Sequence, residues 1–197
     1  MIRIGVTGHR VLAEPEKLDA AVDEVASMLA RAFPGERWEV LSSLAEGADR
    51  LVARRLMARP GTRLAVILPL PPGDYVSDFD SDQSKREFRD LLSRADEVVD
   101  LPPVASRDAA YEAAGDAVLD RADVLIALWD GRGAQGRGGT AHTVARARGR
   151  ALALAWVHAG NRRPGTLAPS SLGAEQGKVT FERLPARGQR RRTRAPS

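Results

Sequence analysis

Cysteine is absent from the 197 residues, which excludes disulfides and thiolate metal sites. Histidine is scarce. With only His9, His142 and His158 present, a histidine-based metal cluster needs carboxylates to complete it, and no structural metal is expected. No run approaches the roughly 20 apolar residues of a membrane-spanning helix. The opening "MIRIGVTGHR" reads as a strand followed by glycine, not as a basic stretch leading into an apolar one. Neither a membrane partner nor secretion is expected, and the location expected is cytoplasmic. Lysine is nearly missing, 3 residues against 27 arginines, a bias that coding composition explains as well as chemistry does. Aromatics make up 5%; Trp38, Trp129 and Trp156 fall in strand-like segments and are read as packing residues first.

The net charge of +4 is unevenly placed. From Arg183 onward there are six arginines and no acid, so residues 1–182 carry about −2. The body is not basic, and nucleic acid is an unlikely partner for it. Hydrophobic content of 43% in a chain of this length suffices for one good core. The expected organisation is one domain over 1–158, a surface extension over 159–182 with "KVTFERL" as a candidate edge strand, and a disordered arginine-rich tail over 183–197.

Within the body, compact apolar runs alternate with helical periodicity. "IRIGVT" at 2–7 ends at Gly8. Leu18, Val22, Val25, Ala26, Leu29 and Phe33 then recur at helical spacing before Pro34 and Gly35. "WEVLS" leads into a helix that Pro60 and Gly61 end, and "RLAVILPL" is the third strand. A fourth strand, "EVVDL", lies between helices expected at about 84–95 and at 107–121, the latter with Tyr111, Ala114, Val118 and Leu119 inward. "DVLIALWD", a helix from Thr140 to about Arg148, and "ALALAWV" at 151–157 complete the series. Continuous apolar strands separated by helices belong to a buried parallel sheet, so the expected fold is a Rossmann-like three-layer α/β sandwich with a mostly parallel central sheet. Residues 71–84, rich in Pro, Gly, Asp and Ser, read as a long loop and a candidate lid.

Three motifs carry chemistry, each after a strand, where open α/β sheets bind ligands. In "GVTGHR", Gly8 lets the backbone approach a ligand, and His9 and Arg10 can hydrogen-bond a phosphate or ribose hydroxyl; His9 reads equally as a packed or capping residue. In "SSLAEGAD", Ser42 or Ser43 can cap the next helix. Around Gly47, Glu46 and Asp49 suit ribose hydroxyls, base amines or the Arg10 guanidinium, or serve only to balance the helix dipole. In "WDGRGAQGRGGTAHT", Gly138, Gly139 and Thr140 can present backbone N–H groups to a phosphate. Asp130 can accept from a ligand hydroxyl, neutralise Arg132 or Arg137, or cap its turn. In the candidate lid, Tyr75 and Phe79 either stack on a base or pin the loop to the body. Asp78 and Asp80 can meet a ribose or a Mg2+ ion accompanying phosphates, although no cofactor is required.

This ordered series, "GVTGHR", "SSLAEGADRLVA", "LPLPPGDYVSDF", "ADVLIALWDG" and "GGTAHTVARAR", resembles the SLOG superfamily over roughly residues 1–157. That superfamily groups Rossmann-like domains related to the lysine decarboxylase-like, cytokinin-activating phosphoribohydrolases and to DNA-processing protein A. The resemblance implies binding or sensing of a nucleotide or nucleotide derivative, as in ligand sensors of bacterial conflict systems. It also implies a homo-oligomer, expected to be a dimer, and a separately encoded effector. The alternative it implies is N-glycosidic hydrolysis of a nucleoside monophosphate; apart from the resemblance, Glu46 or Asp49 can polarise a water, with Arg10 holding the phosphate, and these are the catalytic candidates. The hydrolases carry P-G-G-x-G-T-x-x-E, however; here Gly136, Arg137 and Gly138 precede Gly139 and Thr140, and Thr143 stands where the glutamate belongs. A DNA-binding protein is the further alternative.

Overall fold

The computed structural model describes residues 1–133, 138–162, 166 and 168–185. Residues 134–137 of the glycine loop, with Arg137, and residues 186–197 of the expected tail lie outside the described residues.

Seven strands form one sheet, in the order β4-β3-β2-β1-β5-β6-β7. They are β1 (Ile2–Gly8), β2 (Trp38–Ser42), β3 (Arg63–Leu68), β4 (Glu97–Asp100), β5 (Val124–Trp129), β6 (Ala153–His158) and β7 (Val179–Glu182). All neighbours are parallel except β7, which runs antiparallel to β6. The principal helices are α1 (Pro15–Ala32), α2 (Ala48–Met57), α3 (Pro72–Tyr75), α4 (Asp82–Ser93), α5 (Arg107–Arg121) and α6 (Thr140–Gly149).

Successive strand residues point to opposite faces, and here both faces are apolar. Ile4, Val6, Val40, Val66 and Ile126 pack against α1, α2 and α4. Leu41, Ala65 and Ile67 meet α5, while Leu125, Ala127 and Leu154 meet α6. The result is a three-layer α/β/α sandwich of Rossmann-like type. Its chain path fixes the site. The strands step outward from β1 to β4, then α5 carries the chain across the second face and returns it as β5 beside β1. At this reversal the loops after β1 and β5 diverge, leaving a crevice at the carboxyl ends of the strands.

Residues 71–84 are not a long loop. Pro71 and Pro72 open α3, Val76–Asp78 continue as a 3-10 turn, and α4 starts at Asp82, two residues before the expected Ser84. Proline suits a first helical turn because the amide it lacks has no intrahelical partner there. Ser81 caps α4 by accepting from the Ser84 N–H at 3.1 Å. The residues read as breakers are helix-start signals.

Beside the crevice, β1 and α2 approach closely at Gly8. A Cβ there would lie 2.3 Å from Ala48 Cβ and 2.8 Å from the Leu128 carbonyl oxygen. Gly8→Ala is expected to lower the unfolding free energy by about 2 kcal/mol, seen as a lower urea midpoint at unchanged m-value. An unshifted midpoint would mean that β1 and α2 separate freely.

Candidate functional site

A cleft of about 1000 Å³ opens at the reversal point. Its walls come from the end of β1 and the loop after it, from the ends of β2 and β5, from one face of α5, and from the start of α6. That volume is at the upper end of the range for small-molecule sites.

Helix N-termini expose amides, and side-chain caps commonly satisfy some of them. Serine caps α4 and α5. The two helices that start beside the cleft, α2 and α6, have glycine at the N-cap and no side-chain cap. At α2 the chain supplies an acceptor, since the Ala48 N–H donates to the His9 carbonyl at 3.1 Å. At α6 the first bond back into the helix is made by the Thr143 N–H, and the amides of Thr140 and Ala141 find no acceptor among the described residues. Gly138, Gly139 and Thr140 all line the cleft.

Arg10 lines the same cleft, its guanidinium 5.3 Å from the centroid of the Tyr111 ring. Among the described residues it forms no salt bridge. Burial disfavours its charge, but Tyr111 and Asp78 outweigh that and hold its pKa above the usual value. The cleft therefore holds a fixed positive charge and an open helix N-terminus, the pairing that favours an anion.

The opposite chemistry lies at the end of β2. Asp49 is buried, and its Oδ2 accepts from Ser42 Oγ at 2.9 Å and from the Ser43 N–H at 3.0 Å. Burial nonetheless dominates and raises its pKa to about 6, against the pull of those bonds and of Arg10. Beside it, Tyr75 is fully buried, wedged edge-on between Phe79 and Phe88, and its hydroxyl has no hydrogen-bond partner among the described residues. Burial pushes that phenol far above its ordinary range, so it stays protonated as a donor. An unsatisfied buried hydroxyl costs about 1–3 kcal/mol.

His9 ties the two diverging loops together. Its Nε2 accepts from the Asp130 N–H at 3.0 Å, and its backbone N–H donates to the Leu128 carbonyl. Burial lowers its pKa despite the Asp130 carboxylate 3.3 Å away. The ring is therefore neutral with its proton on Nδ1. Asp130 Oδ1 accepts from the Arg132 N–H, so this carboxylate turns its own loop as well as lining the cleft.

The structure thus brings together Gly8, His9, Arg10, Ser43, Asp49, Tyr75, Asp130, Gly138, Gly139 and Thr140. Other candidates fall elsewhere. Glu46 turns toward α4, where its Oε1 accepts from Ser84 Oγ and the Asp80 N–H, and it does not line the cleft. Gly47 lies beneath the His9 and Arg10 carbonyls; at φ 75°, a Cβ would fall 2.3 Å from the Arg10 oxygen. It positions the loop without touching the space inside. Phe79 is core, with the Arg50 guanidinium 4.4 Å from its centroid, and cannot stack on a base. Asp78 is engaged by Arg107 at 2.8 Å and by the Tyr111 hydroxyl. These contacts anchor the segment to α5. Among the described residues no group of three or more His, Asp or Glu gathers to hold a metal, and no helix is long and apolar enough to cross a membrane.

Several wall residues escaped sequence reasoning. Gly115 joins Tyr111, Ala114 and Val118 on one face of α5, and Asn161, Arg162 and Thr166 close another side. The helical spacing of the α5 residues was visible, but it read as core.

No family model and no curated protein matches the chain. Among solved structures, the X-ray structure of TM1055, a structural-genomics target, is similar at 17% identity and a TM-score of 0.46, covering 77% of this chain and 71% of that one.

Because the folded state holds the Asp49 proton more tightly than the unfolded chain, protonation stabilises the fold fully below the ordinary value of 3.8, and this is lost as pH rises through about 6. Between pH 7.5 and 4.5, wild type should gain about 2 kcal/mol relative to Asp49→Asn, measured by urea unfolding of both. Parallel pH profiles would refute the raised pKa.

Proposed function

We propose that this is a SLOG-type domain that binds or senses a nucleotide or nucleotide-derived small molecule at the carboxyl ends of its parallel strands. The observation that carries the reading is the open, uncapped N-terminus of α6 in the same cleft as the Arg10 guanidinium. A phosphate seats on the amides of Thr140 and Ala141 and takes its counter-charge from Arg10. The remainder of the ligand lies along the crevice between the β1 and β5 loops. The ordered motifs shared with the SLOG superfamily support the same ligand class. A homodimer and a separately encoded effector belong to this proposal as the route by which binding is read out.

One observation favours a second reading, N-glycosidic hydrolysis. Asp49 is a cleft carboxyl that titrates near pH 6, within the range of a general acid or base. Against it, the position of the superfamily's catalytic glutamate is taken by Thr143, buried with its hydroxyl on the Gly139 carbonyl at 3.4 Å. The other carboxylate candidate, Glu46, faces away.

Calorimetric titration with a panel of nucleoside 5′-monophosphates tests both readings. Wild type is expected to bind at least one. Arg10→Ala should weaken it about tenfold and Thr140→Val about threefold, with the unfolding midpoint little changed. Unchanged affinity in both variants overturns the phosphate seat. Free base released in proportion to protein, and abolished by Asp49→Asn, would establish hydrolysis in place of sensing.

A further inference from the structure

Tyr75 and Asp49 are the polar groups at the inner end of the cleft, and neither is explained by the phosphate seat. The Tyr75 hydroxyl is buried, protonated and without a partner among the described residues, although its side chain forms part of the cleft wall. Asp49 accepts from Ser42 Oγ and the Ser43 N–H on one oxygen, Oδ2, and the Ala45 backbone N–H also favours its charged form. A carboxylate offers about four acceptor sites, so acceptor capacity remains. The two side chains sense each other electrostatically, and both sense Arg10. One donor and one acceptor therefore line the same cleft, available to a ligand that offers the complementary pair.

Resting on the nucleotide reading above, we infer that this inner end reads the sugar. One hydroxyl of a ribosyl vicinal diol accepts from Tyr75 Oη–H, and its neighbour donates to the Asp49 carboxylate. A hydroxyl both donates and accepts, so two adjacent hydroxyls satisfy both groups at once. A nucleobase edge also offers a donor beside an acceptor, but a flat ring needs a face to lie on. Among the described residues no aromatic face is free at this end. The Tyr111 ring carries Arg10, and the Tyr75 ring is held between Phe79 and Phe88. The walls beside Asp49 are Ser43 and Ala45, small and suited to a compact, hydroxylated group. The spacing agrees. Gly138 of the phosphate seat sits against the α5 turn that carries Tyr111, the Tyr111 ring centroid is 6.2 Å from that of Tyr75, and all three residues line the same cleft.

Tyr75→Phe is the decisive variant, because it removes only an unpartnered oxygen and keeps the ring packing. The probes are ribonucleoside 5′-monophosphates, their 2′-deoxy and 3′-deoxy counterparts, and ribose 5-phosphate. Wild type is expected to favour the ribonucleotide over at least one deoxy form by about fivefold. Tyr75→Phe should bring the ribonucleotide down to the deoxy level, with deoxy affinity unchanged and the melting temperature equal to or above that of wild type. Ribose 5-phosphate binding with the same sensitivity would place the recognition in the sugar itself. Equal binding of ribo and deoxy forms by wild type, preserved discrimination in Tyr75→Phe, or a changed base ranking in that variant would each overturn the inference. If ribo and deoxy forms bind equally and both weaken in Arg10→Ala, the nucleotide reading survives alone. If no probe binds, both fall.

Discussion

The arrangement of the cleft depends on one backbone contact, where the loop after β1 lies directly on the first residues of α2. Gly8 and Gly47 permit it from the two sides, and the Ala48 N–H closes it on the His9 carbonyl. With no Cβ between them, the loop and the helix start come within hydrogen-bonding range. Arg10 and Asp49, the principal charges of the site, are therefore set on one rigid junction and not on independent loops. The neutral His9 ring extends the junction to the next strand by accepting from the Asp130 amide. Three loop origins become one wall.

Polarity in the cleft follows from how the two uncapped helices differ. At α2 the first amide is consumed by the chain, and the neighbouring Asp49 is neutralised in part by desolvation while Ser42 and the Ser43 amide hold its carboxyl in place. At α6 the amides stay open. One end of the crevice thus attracts an anion, while the other presents a protonated phenol beside a carboxyl group. Behind both, Arg50 is buried on α2. Its Nε donates to the Leu44 carbonyl and its Nη1 to the Ser84 carbonyl and hydroxyl, which bolts α2 to α4.

Much of this architecture was legible in the residues because it rests on local rules. Runs such as "VLIALW", too short for a buried helix and bounded by Asp and Gly, read as strands buried on both faces, and glycine after such strands marks the binding edge. The gaps arose where meaning is set by partners distant in sequence. Pro72 and Ser81 act as breakers or as helix starts according to the residues after them, and whether Tyr75 and Phe79 stack on a ligand or pin the segment to the body is set by distant Phe88 and Arg50. Glu46 and Asp49 are three residues apart at a helix start. Which one enters the cleft is decided by Ser84 and Asp80 capturing Glu46, more than thirty residues away. The α5 wall was hidden for a similar reason, since no local pattern shows that this helix crosses over β1.

The two edges of the sheet bear on how the molecule meets others of its kind. β4 and β7 are only four residues long, and each carries a carboxylate already committed to arginine, Glu97 to Arg121 and Glu182 to Arg148. Short, charged edges are poor templates for adding a strand from another chain. Self-association by sheet extension is thereby discouraged, which keeps an otherwise very apolar sheet from seeding aggregates.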